Sequence, residues 1–105
     1  MSDPVIVTAV FTPAPGQRDE LVRRLEPAIR EVHGEDGCLL YAIHDAPDGR
    51  IVMIEKWASE ELLDAHSVGE PVQRLRRAIA DVVAAPTQVT RLRPIPAGTP
   101  EQGAL

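Results

Sequence analysis

One cysteine, one tryptophan, one tyrosine and one phenylalanine are all that this 105-residue chain has of the residues that most often staple a small fold or line an aromatic site. A single thiol, Cys38, cannot form an intrachain disulfide, which excludes the disulfide-framed secreted domains. No apolar run approaches the roughly 18 residues of a membrane span. The start, Met1-Ser2-Asp3-Pro4, lacks the basic and then apolar regions of a secretion signal. Cytoplasmic residence is the expectation. Positive charge is also short. Eleven Lys and Arg against 16 Asp and Glu leave a formal charge of -5, which works against nucleic acid and anionic membranes as partners, since affinity for a polyanion grows with each neutralising cation. His33, His44, His66 and Cys38 fall at no metal-ligand spacing such as C-x₂-C or H-E-x-x-H. Gly34 and Gly37 flank Glu35 and Asp36, whose charge would repel a phosphate, so neither a metal nor a cofactor is expected.

What is present suffices for one packed domain. Hydrophobic residues make up 44% and charged residues 26%, an ordinary globular balance. Val5 to Phe11 is a β-branched run closed by Thr12-Pro13-Ala14-Pro15-Gly16, which predicts a first strand. From Gln17 to His33 the apolar Leu21, Leu25, Ile29 and Val32 recur every three or four residues, the period of an amphipathic helix, with a kink expected before Pro27. Cys38–Asp45 and Arg50–Trp57 read as two strands joined through Pro47-Asp48-Gly49 into an antiparallel hairpin. Ser59 is placed to cap a short helix reaching about His66. After an interruption at Ser67–Glu70, Pro71 suits the first turn of a further helix with Val72, Leu75, Ile79 and Val82 on one stripe as far as Ala85. Gln88–Arg93 closes the fold as an edge strand. Residues 94–105 form a Pro/Gly/Ala tail, expected to be disordered beside the domain of residues 1–93.

The resulting β-α-β-β-α-β order predicts an α+β, ferredoxin-like protomer with both helical segments on one face of a four-stranded antiparallel sheet. If the other face met water, the strands would alternate apolar and polar. They do not: Val5, Val7, Ala9 and Phe11 are interleaved with Ile6 and Val10, and Leu40, Ala42, Val52 and Ile54 oppose Leu39, Tyr41, Ile43, Ile51 and Met53. Two apolar faces predict a homodimer joined through the sheet, because an exposed patch of that extent usually marks an interface.

Pro15-Gly16 before the first helix, Glu35-Asp36-Gly37-Cys38-Leu39-Leu40-Tyr41 entering strand two, Glu55-Lys56-Trp57 ending strand three and Asp64-Ala65-His66 in the next helix together resemble the antibiotic biosynthesis monooxygenase (ABM) domain family, over roughly Val5 to Leu92. The resemblance implies a dimeric α+β barrel, and an activity drawn from a set that includes cofactor-free phenol oxygenases, quinol monooxygenases, haem-degrading enzymes and isomerases. The haem-degrading members use an Asn in strand one and an iron-binding His in the long second helix. Those regions here hold Thr8-Ala9 and Leu75-Arg76-Arg77, which disfavours haem. The phenol-oxidising members carry an Asn on the strand with the Trp, where this chain offers Met53, Glu55 and Lys56.

His66 is the candidate base, since imidazole titrates near neutrality and the resemblance places it on the helix beside the Trp-bearing strand. Glu55 is the candidate to orient it, or to act as a base itself if burial raises its pKa. The alternative is a Glu–His hydrogen bond that ties helix to sheet. Trp57, which the resemblance places in a pocket between sheet and helices, joins Tyr41, Met53 and Phe11 as a candidate wall for an aromatic or apolar ligand, and each can equally be core. His33 and His44 read as structural or solvated, Cys38 as a packed strand residue, and Arg74, Arg76 and Arg77 as a charged helix face. The expectation is a cofactor-independent monooxygenase of a small quinol or polyphenol. Its alternatives are a non-catalytic dimeric ligand-binding or accessory protein and a small-molecule isomerase.

Overall fold

A computed structural model describes residues 3–105. Four strands, β1 (Val5–Phe11), β2 (Cys38–Asp45), β3 (Ile51–Trp57) and β4 (Gln88–Leu92), form one antiparallel sheet in the order β2-β3-β1-β4. Helices α1 (Arg18–Val32), α2 (Glu60–Ser67) and α3 (Glu70–Ile79) complete the predicted ferredoxin-like arrangement, with the second helical segment in two pieces. The β1–β3 register sets Val5 against Trp57, Val7 against Glu55, Ala9 against Met53 and Phe11 against Ile51. Side chains alternate across a strand, so these eight share one face, and all eight are buried beneath the helices.

Helix α1 runs unbroken through Pro27 and brings Leu21, Leu25 and Val32 to zero exposure against that face. The second segment breaks where the sequence said it would. Ser59 caps α2 by accepting from the Leu62 amide at 3.2 Å, Gly69 caps α3, and Pro71 lies in the first turn of α3. Helix α3 ends at Ile79, short of the expected Ala85. The reason is a competing partner: the Ala14 amide donates to the Val82 carbonyl and the Ala84 amide to the Thr12 carbonyl, both at 2.8 Å, so the chain leaving β1 takes backbone groups that further helix would need. Val82 still reaches the core.

The opposite face of the sheet carries Ile6, Thr8, Val10, Leu40, Ala42, Val52, Ile54 and Lys56, as the β1–β3 and β2–β3 registers dictate, and no helix covers it. Ile6 is buried by its neighbours and the others stay half-buried. Beyond β4, residues 94–105 hold neither helix nor strand, and the Lys56 ammonium donates to the Leu105 carbonyl at 2.7 Å. Among the described residues no helix is long and apolar enough to cross a membrane.

Candidate functional site

The site begins with a glycine. Gly37 holds φ at +83°, which side chains rarely adopt, and a Cβ there would stand 2.8 Å from Leu62 Cβ of α2. Its carbonyl accepts from the Ala58 amide at 2.9 Å. The loop between α1 and β2 is therefore pressed against the start of the second helical segment. That approach brings Glu35 to His66, whose Nδ1 lies 2.8 Å from Glu35 Oε2. A carboxylate only accepts, so Nδ1 carries the hydrogen in this pair and Nε2 holds the lone pair of the neutral ring.

His66 is buried, yet Nε2 has no hydrogen-bond partner among the described residues, and no polar side-chain atom there is both sealed from solvent and unpaired. Nε2 therefore opens on the cavity that His66 lines. That cavity holds about 360 Å³ between the sheet and α2/α3, within the range of about 300–1,000 Å³ usual for small-molecule sites. Val7, Ala9, Phe11, Leu63, Val72 and Leu75 give it apolar walls, and Tyr41, Glu55, Arg76 and Arg91 add polar groups.

Of the sequence-predicted residues, His66, Glu55, Tyr41 and Phe11 line this one cavity. Trp57 and Met53 do not. Both have no exposed surface and sit behind the lining, where Trp57 lies tilted against the His66 ring with centroids 4.4 Å apart. Tyr41 meets both rings edge-on, at 6.3 Å from Trp57 and 5.6 Å from His66. Glu55 is not the group that orients His66. Its Oε1 accepts the Trp57 indole N–H at 2.9 Å, and Glu35 takes the orienting place. Sequence reasoning missed Glu35 although it stood in a quoted motif, because its charge was weighed only against phosphate. The signal was the positive-φ glycine two residues on, which forces the loop against α2.

Burial pushes the Glu55 carboxyl above its usual range, assisted by the charge of Glu35 and opposed by the indole N–H and His66. Burial likewise drives the Tyr41 hydroxyl far above the ordinary phenol range, with Glu55 and Glu35 adding to the effect, so Tyr41 acts at neutral pH as a hydrogen-bond donor and not as a base. Burial, with the charges of Glu35 and Glu55, also raises the Cys38 thiol, which keeps it from thiolate chemistry. His33 Nε2 lies 3.0 Å from the Tyr41 carbonyl, and His44 projects from the uncovered face. Among the described residues no three His, Cys, Asp or Glu side chains gather as a metal-ligand set.

Residues 4–78 match the family described as antibiotic biosynthesis monooxygenase. A Mycobacterium tuberculosis protein that bears the name "Putative monooxygenase Rv0793" is 32% identical over 96 residues, which cover 90% of this chain and 95% of the relative. Its solved structure superposes with a TM-score of 0.81 at 31% identity, over 92% of this chain and 100% of that one. PA3566 from Pseudomonas aeruginosa gives a TM-score of 0.78 at 28% identity, over 90% and 97% of the two chains. A Caulobacter crescentus structure gives 0.81 at 20% identity, over 90% and 92%, and at that distance shows the fold alone.

Proposed function

Because the chain belongs to the antibiotic biosynthesis monooxygenase family, we propose that it is a monooxygenase whose substrate, a small quinol or polyphenol, lies in the cavity beneath α2 and α3 and itself supplies the electrons to oxygen. The observation that carries this reading is the Glu35–His66 pair, with the far nitrogen of the imidazole open to an apolar, ring-sized space.

In this mechanism the phenol hydroxyl gives its proton to Nε2 of His66. The imidazolium that forms is stabilised by the Glu35 carboxylate at Nδ1, as a positioned base requires. The phenolate is the better electron donor, and it reduces O₂. One oxygen atom is added to the ring and the other leaves as water with the two hydrogens the quinol gives up, so the ring leaves as a hydroxylated quinone and no further reductant is consumed. Tyr41 donates a hydrogen bond to a ring oxygen, while Phe11, Val72 and Leu75 exclude water from the ring.

Oxygen uptake over a panel of quinols, with protein dialysed against a chelator and no added flavin, tests the reading. His66→Ala is expected to lower turnover about 100-fold, with circular dichroism confirming the fold. Unchanged uptake would remove His66 from the mechanism, and binding without uptake on any quinol would favour a ligand-binding protein. We also propose that a second copy covers the uncovered sheet face. Its support is the half-buried apolar Val10, Leu40, Val52 and Ile54 there, and sedimentation showing a monomer at micromolar concentration would overturn it.

A further inference from the structure

Two arginines line the cavity, and their circumstances differ. Arg91 is engaged: Nη1 donates to Asp64 Oδ1 at 2.8 Å and lies 3.8 Å from Glu60, and Nη2 donates to Ser67 Oγ at 3.4 Å. Arg76 forms no hydrogen bond or ion pair among the described residues, although the nearby Arg74 is held by Glu31 at 2.6 Å and by Glu70 at 3.4 Å. Helical geometry explains the contrast. Arg76 lies four residues after Val72 and one after Leu75, on the side of α3 that lines the cavity, whereas Arg74 points toward α1.

The cavity is thus polarised. Its inner wall has two carboxylates, Glu55 in the lining and Glu35 behind His66, and two groups that can accept a hydrogen, Nε2 of His66 and the Glu55 carboxylate. Its outer wall has Arg76, exposed and unpaired among the described residues. A ligand that matches both ends donates a hydrogen bond inward and presents negative charge outward. We propose that Arg76 is a specificity-determining residue, which selects hydroxyaryl ligands bearing a carboxylate on the side of the ring opposite the hydroxyl that meets His66. This rests on the reading of the cavity as an aromatic site. The positive charge of Arg76 also works against burial at the Tyr41 hydroxyl, so its influence reaches the cavity interior.

The test is calorimetric binding of a matched pair, 3,4-dihydroxyphenylacetate and its primary amide, which differ in charge and little in shape. The full chain is expected to bind the acid about fivefold more tightly, as suits an exposed ion pair. Arg76→Gln is expected to bring the two dissociation constants together by weakening the acid, with Arg76→Lys retaining part of the preference and added salt eroding it. Equal affinities in the unmodified chain would overturn the proposal, as would tighter binding of the amide or an equal loss for both compounds in Arg76→Gln. Binding without oxygen uptake, with the preference intact, would remove the monooxygenase reading and leave this one standing. If neither compound bound, both would fall.

Discussion

The two helical segments that cross the same face of the sheet do opposite things. Helix α1 is continuous for 15 residues and packs its inner stripe fully: Leu21, Leu25 and Val32 have no exposure, and Arg24 and Arg74 tie α1 to α3 and the turn after it through Asp81 and Glu31. The second segment is broken at Val68–Gly69, and beneath its two short pieces the helix layer stands off the β1–β4 side of the sheet. Along the unbroken helix the space left is a cleft of about 350 Å³ between α1 and β2, lined by exposed Glu26, Arg30 and His33, whereas the broken segment leaves its cavity against buried Glu55 and His66. The apolar stripes of α1 and α3 look alike in sequence, so hydrophobicity alone does not distinguish the two outcomes.

The largest expected effect bears on that contrast directly. Leu25→Ala, at a fully buried site under α1, is expected to cost about 3 kcal/mol in urea unfolding, because a close-packed site cannot collapse onto the void. Val89→Ala, on the exposed strand beside the cavity, should stay within about 0.5 kcal/mol. Equal losses would break the comparison.

Within the open half, Glu35→Gln is expected to lower kcat about tenfold while KM stays nearly constant. An amide oxygen can still accept from Nδ1 of His66, but it offers no charge to the imidazolium. A matching rise in KM would mean that Glu35 shapes the cavity instead of positioning the base.

The smallest effect concerns Glu55. Its pKa in the folded chain lies above the ordinary 4.5, so between that value and the raised one the native state holds the proton more tightly than the unfolded chain. Stability must then fall as pH rises through that window, since charging a buried carboxyl opposes folding. Glu55→Gln, which can still accept the Trp57 N–H, is expected to flatten the decline of Tm from pH 4.5 to neutrality. An undiminished slope would assign the decline to other groups.

Strands and helices were legible because their signals are local: β-branched runs, a three-and-four apolar period, Ser59 before two acids, and glycine or proline at each break. The end of α3 was not, since it depends on pairing between residues 12–14 and 82–84, which lie far apart in the chain. The site was half legible for the same reason. Strand parity put Tyr41 and Met53 on one face, and the register sets Glu55 opposite Tyr41 on that same face. Parity cannot tell which of two carboxylates a histidine will meet, nor that Trp57, on the same face as Glu55, is fully buried outside the cavity lining. Arg76 was read with Arg74 and Arg77 as a charged helix face, and of the three it alone lines the cavity.

The lone tryptophan has one more consequence. Its indole is sealed from water, donates to a carboxylate and lies against the imidazole proposed as the base, so the protein carries an optical reporter at its own reaction centre. Emission should be blue-shifted for so apolar a setting and should dim when the imidazole takes up a proton, because an imidazolium accepts an electron from excited indole more readily than the neutral ring does. Proton arrival at His66 could then be followed in real time, in the unmodified chain and without a label.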